Sequence, residues 1–437
     1  MMVSHKTGKR VLQKQYTGLV KQEIIEEKYR IIKHFFEEIE EKEIEKNCEK
    51  LERDMVNAFS GARAFRSLIV PYRYEKEPAD FGRVNLYTFS KLPEDFKEKY
   101  LQLHEAVNLQ QFPLRARILA ALNLSDAFAS IKEYFFGILY SLCMEDIYVN
   151  IENGEIKILL ERCLSPAFQG KRGKDFYFEC SDGASKEASA ETGLLDFLAY
   201  AEFRILCAAD PFDGRETLMQ YPYLSTLAME QIHNGSYGFI FSDNENKCSQ
   251  YAGQFAKAKW RELPAFIRTM FTQVFEEKTK GIERQMSFED WLTQMRKLRD
   301  CLVYVKRKFK LCDPQEQNKV LFIKINEFKI PVWPNKAIYW YHTTFQYEDG
   351  QEGLIGGINK EGFLENYTDQ SWHVEGDDDI MYLCKGDKVE LKKGMKIQLS
   401  IHGEAEIIDG GSSTDSNDIS VLEANDGSSG GGGLYAE

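Results

Sequence analysis

The sequence predicts an α+β chain that closes in an antiparallel β-sandwich, and three patterns carry that prediction. Leu114, Ile118, Ala121, Leu124, Phe128, Ile131 and Phe135 recur at steps of three and four, the stripe of a buried helix. Ile147-Tyr148-Val149-Asn150 and Ile156-Lys157-Ile158-Leu159-Leu160 are short apolar runs joined across Asn153-Gly154. Asn-Gly between such runs signals a hairpin, because both central positions of its tight turn take φ > 0. Beyond about residue 317, short alternating runs separated by Gly, Asp and Asn replace the helical spacing, and closely spaced strands of this kind indicate a sandwich or barrel.

Bulk properties set the limits. A chain of 437 residues is too long for one ordinary core, and 43% hydrophobic with 13% aromatic residues suffices for two or three. The net charge of −13 argues against a polyphosphate-binding surface taken as a whole. No stretch approaches the roughly 18–20 consecutive apolar residues of a membrane span. The start, Met1 to Arg10, is basic with no apolar core behind it, unlike a secretory signal. Nine scattered cysteines without a Cys-x-x-Cys pair read as reduced thiols of a cytoplasmic protein.

Element by element, residues 20–59 are the most ambiguous. Ile25, Tyr29, Ile32, Phe36 and Ile39 suit an amphipathic helix, and Ile44, Cys48, Leu51 and Met55 continue that spacing. The dense β-branched and aromatic run Tyr29 to Phe36 suits a strand instead. The residues alone leave both readings open; the family resemblance carried by stretches further along the chain implies strand to about residue 35, then helix over about 41–57. Arg66 to Pro71 and Arg83 to Phe89 suit two more strands separated by a charged turn, and 93–112 a polar, partly helical connection. Residues 170–190 read as a loop. Leu194, Leu198, Ala201 and Ile205 mark an apolar helix stopped by Asp210-Pro211. Further helices suit 257–277 and 287–303, anchored by Trp260, Phe271, Phe275 and Trp291. Lys306-Arg307-Lys308-Phe309-Lys310 then reads as a helix end whose cations suit the dipole, in preference to a nucleic-acid contact.

In the last third, strands are expected at Val320 to Asn326, Ala337 to His342, Ile380 to Cys384, Val389 to Leu391 and Met395 to Ile401. Lys385-Gly386 and Lys393-Gly394 supply turns between them. Residues 409–437 hold six carboxylates, no Lys or Arg and the run Gly430 to Gly433, the composition of a disordered tail. Within it, Asp418 to Glu423 is a short apolar island suited to docking.

The helix, loop and hairpin of 114–162 follow the order of a protein-kinase catalytic core. Together with Leu122 to Ala129, Asp210 to Arg215, Gly238 to Asn244, Trp260 to Pro264, and Gly362 to Thr368 with Trp372, the chain resembles a bacterial kinase-like family. That family accompanies tellurite-resistance-type modules containing a von Willebrand A protein and a metal-dependent Ser/Thr phosphatase. The resemblance implies a bilobal protein-kinase-like fold with a small lobe over 8–92 and a mostly helical large lobe over 93–312. It continues into a β-sandwich domain over 318–408, ahead of the acidic Gly/Ser-rich tail.

Carried over residue by residue, the resemblance also implies lost chemistry. The glycine-rich loop would fall at Leu12 to Val20, where only Gly18 survives, so backbone amides no longer line the phosphates. The strand lysine matches Lys33 and its helix partner Glu52, the one element retained, which leaves metal-independent ATP binding open. Ser141 stands where the base aspartate belongs, and a hydroxyl accepts no proton at neutral pH without its own base. Asp146 replaces the metal-binding asparagine and suits either a metal ligand or a turn cap. Leu160 replaces the principal metal carboxylate, and its neighbour Glu161 points to the opposite face of an extended chain. The loop-tethering aspartate maps to Leu194, two residues from Asp196.

Phosphoryl transfer depends on positioning and charge neutralisation. The expectation is therefore a pseudokinase with no catalytic residue, no bound metal and no required cofactor. It would act as an interaction or allosteric subunit among cytoplasmic proteins, including the von Willebrand A-type and phosphatase partners, in signalling or stress response, without nucleic acid or membrane. The enzyme alternative is a divergent ATP-dependent Ser/Thr phosphotransferase that holds metal through Asp146 and Glu161. Zinc spacing, a Gly-x-Ser-x-Gly elbow and a Walker loop are all missing from the sequence.

Overall fold

The computed structural model describes residues 5–6, 9–16, 19–26, 29–36, 67–69, 71–78, 84–93, 95–107, 112–135, 141–160, 177–179, 188–212, 214, 238–242, 250–282, 286–314, 320–343, 353–376, 380–400 and 403–410. Over 5–36 and 71–91 it describes the backbone alone.

The chain is mixed α+β with several sheets, nearly all antiparallel. The N-terminal third contributes β1 (His5–Lys6), β2 (Lys9–Tyr16), β3 (Leu19–Glu26), β4 (Tyr29–Phe36), β5 (Leu68–Ile69), β6 (Pro71–Pro78) and β7 (Val84–Lys91). Tyr29 to Phe36 is therefore strand, in line with its β-branched and aromatic content, while the helix expected over 41–57 lies outside the described residues. Six of these strands form one sheet in the order β1-β2-β3-β4-β7-β6. The charged segment after residue 70 is not a turn but β6, paired along its length with β7. It is an edge strand, where charges and proline are tolerated because one side of the ladder needs no partner. β5 leaves that sheet and pairs in parallel with β11 (Ile156–Leu159).

β11 belongs to a four-stranded sheet, β5-β11-β10-β8, with β8 at Leu101–Gln102 and β10 at Ile147–Val149. The hairpin across Asn153-Gly154 exists but is wider than a two-residue turn. Val149 pairs with Ile156, and only Gly154 has positive φ, at 78°. Asn150 widens the loop: its Oδ1 accepts the Glu152 N–H at 2.9 Å and its carbonyl accepts Gly154 N–H at 2.8 Å. Between β8 and β10 run the helix α1 (Leu114–Ser130), which continues as a π-helical turn to Phe135, and β9 (Ser141–Cys143). β9 pairs with β12 (Tyr177–Glu179), a strand inside the stretch expected to be loop.

α1 packs with α2 (Ala188–Cys207) and a helical trio, α3 (Gln250–Glu262), α4 (Ala265–Lys280) and α5 (Phe288–Asp300). The single helix expected over 257–277 is two helices because Pro264 cannot continue α3 and starts α4 instead. The Asp313 carboxylate accepts the Ala265 N–H at 2.9 Å, supplying a charge suited to the α4 N-terminus. Phe203 meets Phe239, Phe271 and Phe275 edge-on with centroids 5.4–5.5 Å apart, so the anchoring is aromatic, as the composition suggests. α5 opens with a capping box between Ser287 and Asp290 and ends at Asp300, earlier than expected.

The basic run after α5 is not a helix end. β13 (Leu302–Val305) and β14 (Lys308–Leu311) form a hairpin whose two turn residues, Lys306 and Arg307, have φ of 47° and 64°. Two left-handed residues make the tight turn that matches strand twist, here without glycine or asparagine.

The remaining strands are β15 (Leu321–Ile325), β16 (Phe328–Pro331), β17 (Lys336–Tyr339), β18 (Leu354–Ile358), β19 (Leu364–Asn366), β20 (Trp372–Glu375), β21 (Ile380–Leu383), β22 (Lys388–Val389), β23 (Lys396–Ser400) and β24 (Gly403–Asp409). They form a six-stranded sheet, β16-β15-β24-β23-β20-β21, and a four-stranded sheet, β17-β18-β19-β22, around one shared core. Gly386 and Gly394 take φ of 84° in the two turns marked by Lys-Gly. Trp372 fills the middle of the core; a Cβ on Gly356 would lie 2.3 Å from its ring, so only glycine fits opposite it. The disordered tail was expected over 409–437, but Asp409 closes β24 and Gly410 N–H bonds the Val320 carbonyl; residues 411–437 lie outside the described residues.

Candidate functional site

Of the sequence-derived positions, Asp146 and Leu160 lie at one end of the β10–β11 hairpin. Ile147 pairs with Ile158, so Asp146 and the pair Leu159-Leu160 leave the ladder at the same end. β9 supplies Ser141 to Cys143, and a 3₁₀ turn over Met144–Asp146 links it to β10. Leu142, Met144, Leu160 and Leu194 share one buried cluster with α1 and α2.

Three of the candidates have described side chains: Asp146, Leu160 and Leu194. Asp146 is 6% exposed, and its Oδ2 accepts the Cys143 N–H at 3.0 Å and the Cys143 thiol at 3.1 Å. It caps the turn that follows β9, the role its short acceptor side chain performs when it satisfies a nearby backbone donor. Leu160 and Leu194 are both fully buried, so these two positions present hydrocarbon to the core. Asp196 reaches α4, where its Oδ2 lies 3.0 Å from Lys278 Nζ. Ser141 opens β9 with its backbone opposite Glu179, and its side chain is outside those described. Lys33 lies in β4 between Gln22 of β3 and Tyr87 of β7, again as backbone only. Gly18, Glu52 and Glu161 are outside the described residues.

Two polar groups near this site escaped the sequence reading. Lys157 points into a nearly closed position, with its ammonium 2.7 Å from Glu155 Oε1. Burial pushes the Glu155 carboxyl up, but hydrogen bonds from Lys157 and Tyr100 outweigh it and hold the group below its ordinary range. Glu202 on α2 is completely buried, accepting from Ser125 of α1 and, at 2.7 Å, from the Trp291 indole of α5. Burial pushes its carboxyl up to about 8, so at neutral pH it is mostly a protonated acid bridging three helices. Its signal was present: Glu202 stands four residues after Leu198 and three before Ile205, on the apolar stripe itself. Among the described residues, no group of three or more His, Cys, Asp or Glu side chains is placed to hold a metal. No described helix is long and apolar enough to cross a membrane.

The chain matches no family model, and no curated protein matches it. Among solved structures it is similar to the kinase domain of a Toxoplasma gondii specific rhoptry antigen, with 14% identity. That likeness covers 61% of this chain and 84% of the other at a TM-score of 0.30, a level that carries no conclusion about activity.

Proposed function

We propose that this chain is a pseudokinase, a protein-kinase-like frame that serves as an interaction or allosteric subunit instead of transferring phosphate. One observation carries the reading: where a kinase core would place its metal carboxylate stands Leu160, fully buried, while nearby Asp146 is engaged by Cys143. A metal ion needs oxygen ligands open to solvent and substrate. Loss of a base alone costs about 10²–10⁴ in rate. Lys33 with Glu52 would leave ATP binding without metal dependence. The partners in this reading are the von Willebrand A-type protein and metal-dependent Ser/Thr phosphatase of the resembled modules, in a bacterial cytoplasmic complex.

The test is incubation of the full chain with labelled ATP and Mg²⁺ or Mn²⁺, alongside thermal melting with ATP, with and without metal. The expected result is no phosphate transfer and no metal-dependent rise in Tm. A ligand at 100 times its Kd adds about 2.7 kcal/mol, which melting would register. Transfer to the chain or to a co-purified partner, abolished by Lys33→Ala, would overturn the reading in favour of a phosphotransferase using Asp146 and Glu161.

A further inference from the structure

We propose that the β13–β14 hairpin is a docking surface for this chain's own acidic C-terminal segment, residues 411–437. The inference is independent of the kinase-like reading and starts from what the hairpin shows to solvent. Tyr304 and Phe309 are directly opposite each other, 53% and 40% exposed, with ring centroids 5.0 Å apart. Lys306 and Arg307 form the turn beside them, and Lys308 and Lys310 flank Phe309 along the strand, on the hairpin's other face; all four are exposed, and none has an ion pair with another described residue. Arg115 adds a fifth cation, its guanidinium 5.6 Å from the Phe309 ring centre. In a chain of net charge −13, so dense a positive and aromatic surface stands apart.

The acidic segment leaves the fold beside the hairpin, on the side of Val303, Val305 and the Lys308 and Lys310 face. Gly410 N–H donates to the Val320 carbonyl at 3.0 Å, closing β24 against the start of β15. Ile408, Val320 and Trp333 pack in one cluster with Val303 and Val305 of the hairpin, and the Trp333 indole donates to the Tyr304 carbonyl at 3.2 Å. From Gly410 the chain reaches Asp415 in five residues, at most about 17 Å of extended backbone. A strand of four residues is about 13 Å long, so Asp415, Asp418 and Glu423 all come within reach of the hairpin's cations.

The match is chemical as well as spatial. Residues 411–437 carry Asp415, Asp418, Glu423, Asp426 and Glu437 and no Lys or Arg. Between the second and third of these acids lies Ile419-Ser420-Val421-Leu422, an apolar stretch to cover the Tyr304–Phe309 pair. Exposed ion pairs are individually weak. A short tether, however, supplies an effective concentration in the millimolar range, enough to populate a weak contact within one molecule. An outside ligand for the hairpin would then have to displace the segment first.

The test uses the full chain, isotope-labelled, with NMR signals of Ile419, Val421 and Leu422 followed at about 50 mM and about 500 mM salt, since added salt screens exposed charges. The expected result is broadened signals at low salt that sharpen several-fold at high salt. The triple substitution Lys306→Glu, Arg307→Glu, Lys308→Glu should sharpen them at low salt. Neutralising the segment instead, with Asp415→Asn, Asp418→Asn and Glu423→Gln, leaves the hairpin untouched and should have the same effect. Signals that are sharp and unchanged under all these conditions would overturn the proposal. Exposed aromatics among cations also suit single-stranded nucleic acid. Binding of a labelled oligothymidine that is lost in the triple Glu variant, with the segment's signals unaffected, would assign the surface to that ligand and overturn the proposal too.

Discussion

His342 Nε2 lies 2.8 Å from Asp300 Oδ2, joining the last residue of α5 to the C-terminal sandwich through two side chains that are 0% and 6% exposed. His342 Nδ1 accepts the Tyr339 N–H at 2.9 Å, so the ring's single proton sits on Nε2 and is donated to the carboxylate. Lys336, from β17, donates to the Asp300 carbonyl at the same junction. Burial, with Arg299 and Arg296 nearby, outweighs the attraction of Asp300 and holds His342 neutral, its pKa below 6.5. Burial pushes Asp300 the other way, but the His342 bond, Arg299 and Lys336 hold its carboxyl below the ordinary range.

Both shifts are depressions, so the stability they carry is present above the unfolded pKa and is lost as pH falls through the folded value. For His342 the loss begins as pH drops below about 6.5; Asp300 adds to it below about 3.8. His342→Gln keeps a donor toward Asp300 without the titration, so its Tm should fall less steeply than the parent's between pH 6.5 and 5. His342→Ala leaves the buried carboxylate short of a partner and should cost about 3–5 kcal/mol. Parallel Tm profiles for the parent and the glutamine variant would show that His342 does not titrate in this window.

Glu202 predicts the opposite pH dependence. Its folded pKa is raised from 4.5 to about 8, so full stability is present below 4.5 and is lost as pH rises to about 8. At about 1.4 kcal/mol per unit, ionisation of this one buried acid opposes folding by an amount on the order of 5 kcal/mol at alkaline pH. Gln is neutral like the protonated form: its oxygen can accept from Trp291, and the Ser125 hydroxyl, which donates to Glu202, can rotate to accept from the amide. Glu202→Gln should therefore raise Tm by several degrees at pH 8 and by little near pH 4.5. A gap that does not widen with pH would mean the carboxylate is solvated.

Helices were the most legible part of the sequence, because a stripe such as Leu114 to Phe135 has one reading at that length. Strands with one face in a core were legible where they alternated, as in Leu321–Ile325 and Lys396–Ser400. β18 was not: Leu-Ile-Gly-Gly-Ile carries too little apolar signal, and its place is set by Trp372 packing on Gly356. β6 was hidden by its edge position, and the β13–β14 hairpin by a turn of Lys306-Arg307 that lacks the usual glycine. At the candidate site, Asp146 as a turn cap was legible because its partner Cys143 is only three residues away, whereas the burial of Glu202 between three helices depends on tertiary packing.

Gly154 seats the β10–β11 loop on α1, and its replacement tests that seat. A Cβ there would lie 2.4 Å from the Ala116 carbonyl oxygen and 2.8 Å from Ala120 N, both backbone atoms of a packed helix. The position also has φ of 78°, which disfavours a side chain. Gly154→Ala should destabilise by about 2–4 kcal/mol, read as a lower urea midpoint with little change in slope. Asn153→Ala, one residue earlier, removes an exposed acceptor for Glu155 N–H and a hydrogen bond to the Glu155 carboxylate, and should cost about 1 kcal/mol. Equal losses from the two would mean that the loop stands clear of α1.

Asn366 offers the sharpest test of the sandwich, because all four of its amide's hydrogen-bonding capacities face specific partners in a site with no exposure. Its Nδ2 donates to the Gln370 carbonyl at 2.7 Å and to the Leu383 carbonyl at 2.9 Å, tying β19 to the end of β21. Its Oδ1 accepts from Thr368 N–H and Thr368 Oγ1, both at 2.8 Å. Asn366→Asp changes one atom of the side chain yet turns both donors into a charged acceptor facing two carbonyl oxygens. Unpaired buried acceptors and an unpaired buried charge both oppose folding, so the loss should be at least about 3 kcal/mol at pH 8. The loss should also shrink as pH falls, because the substituted carboxyl regains one donor when protonated and in that setting binds its proton tightly. Tm of the variant against the parent from pH 8 down to 5 measures both effects. A small deficit that is flat with pH would mean that the site opens to water and the carboxylate is solvated.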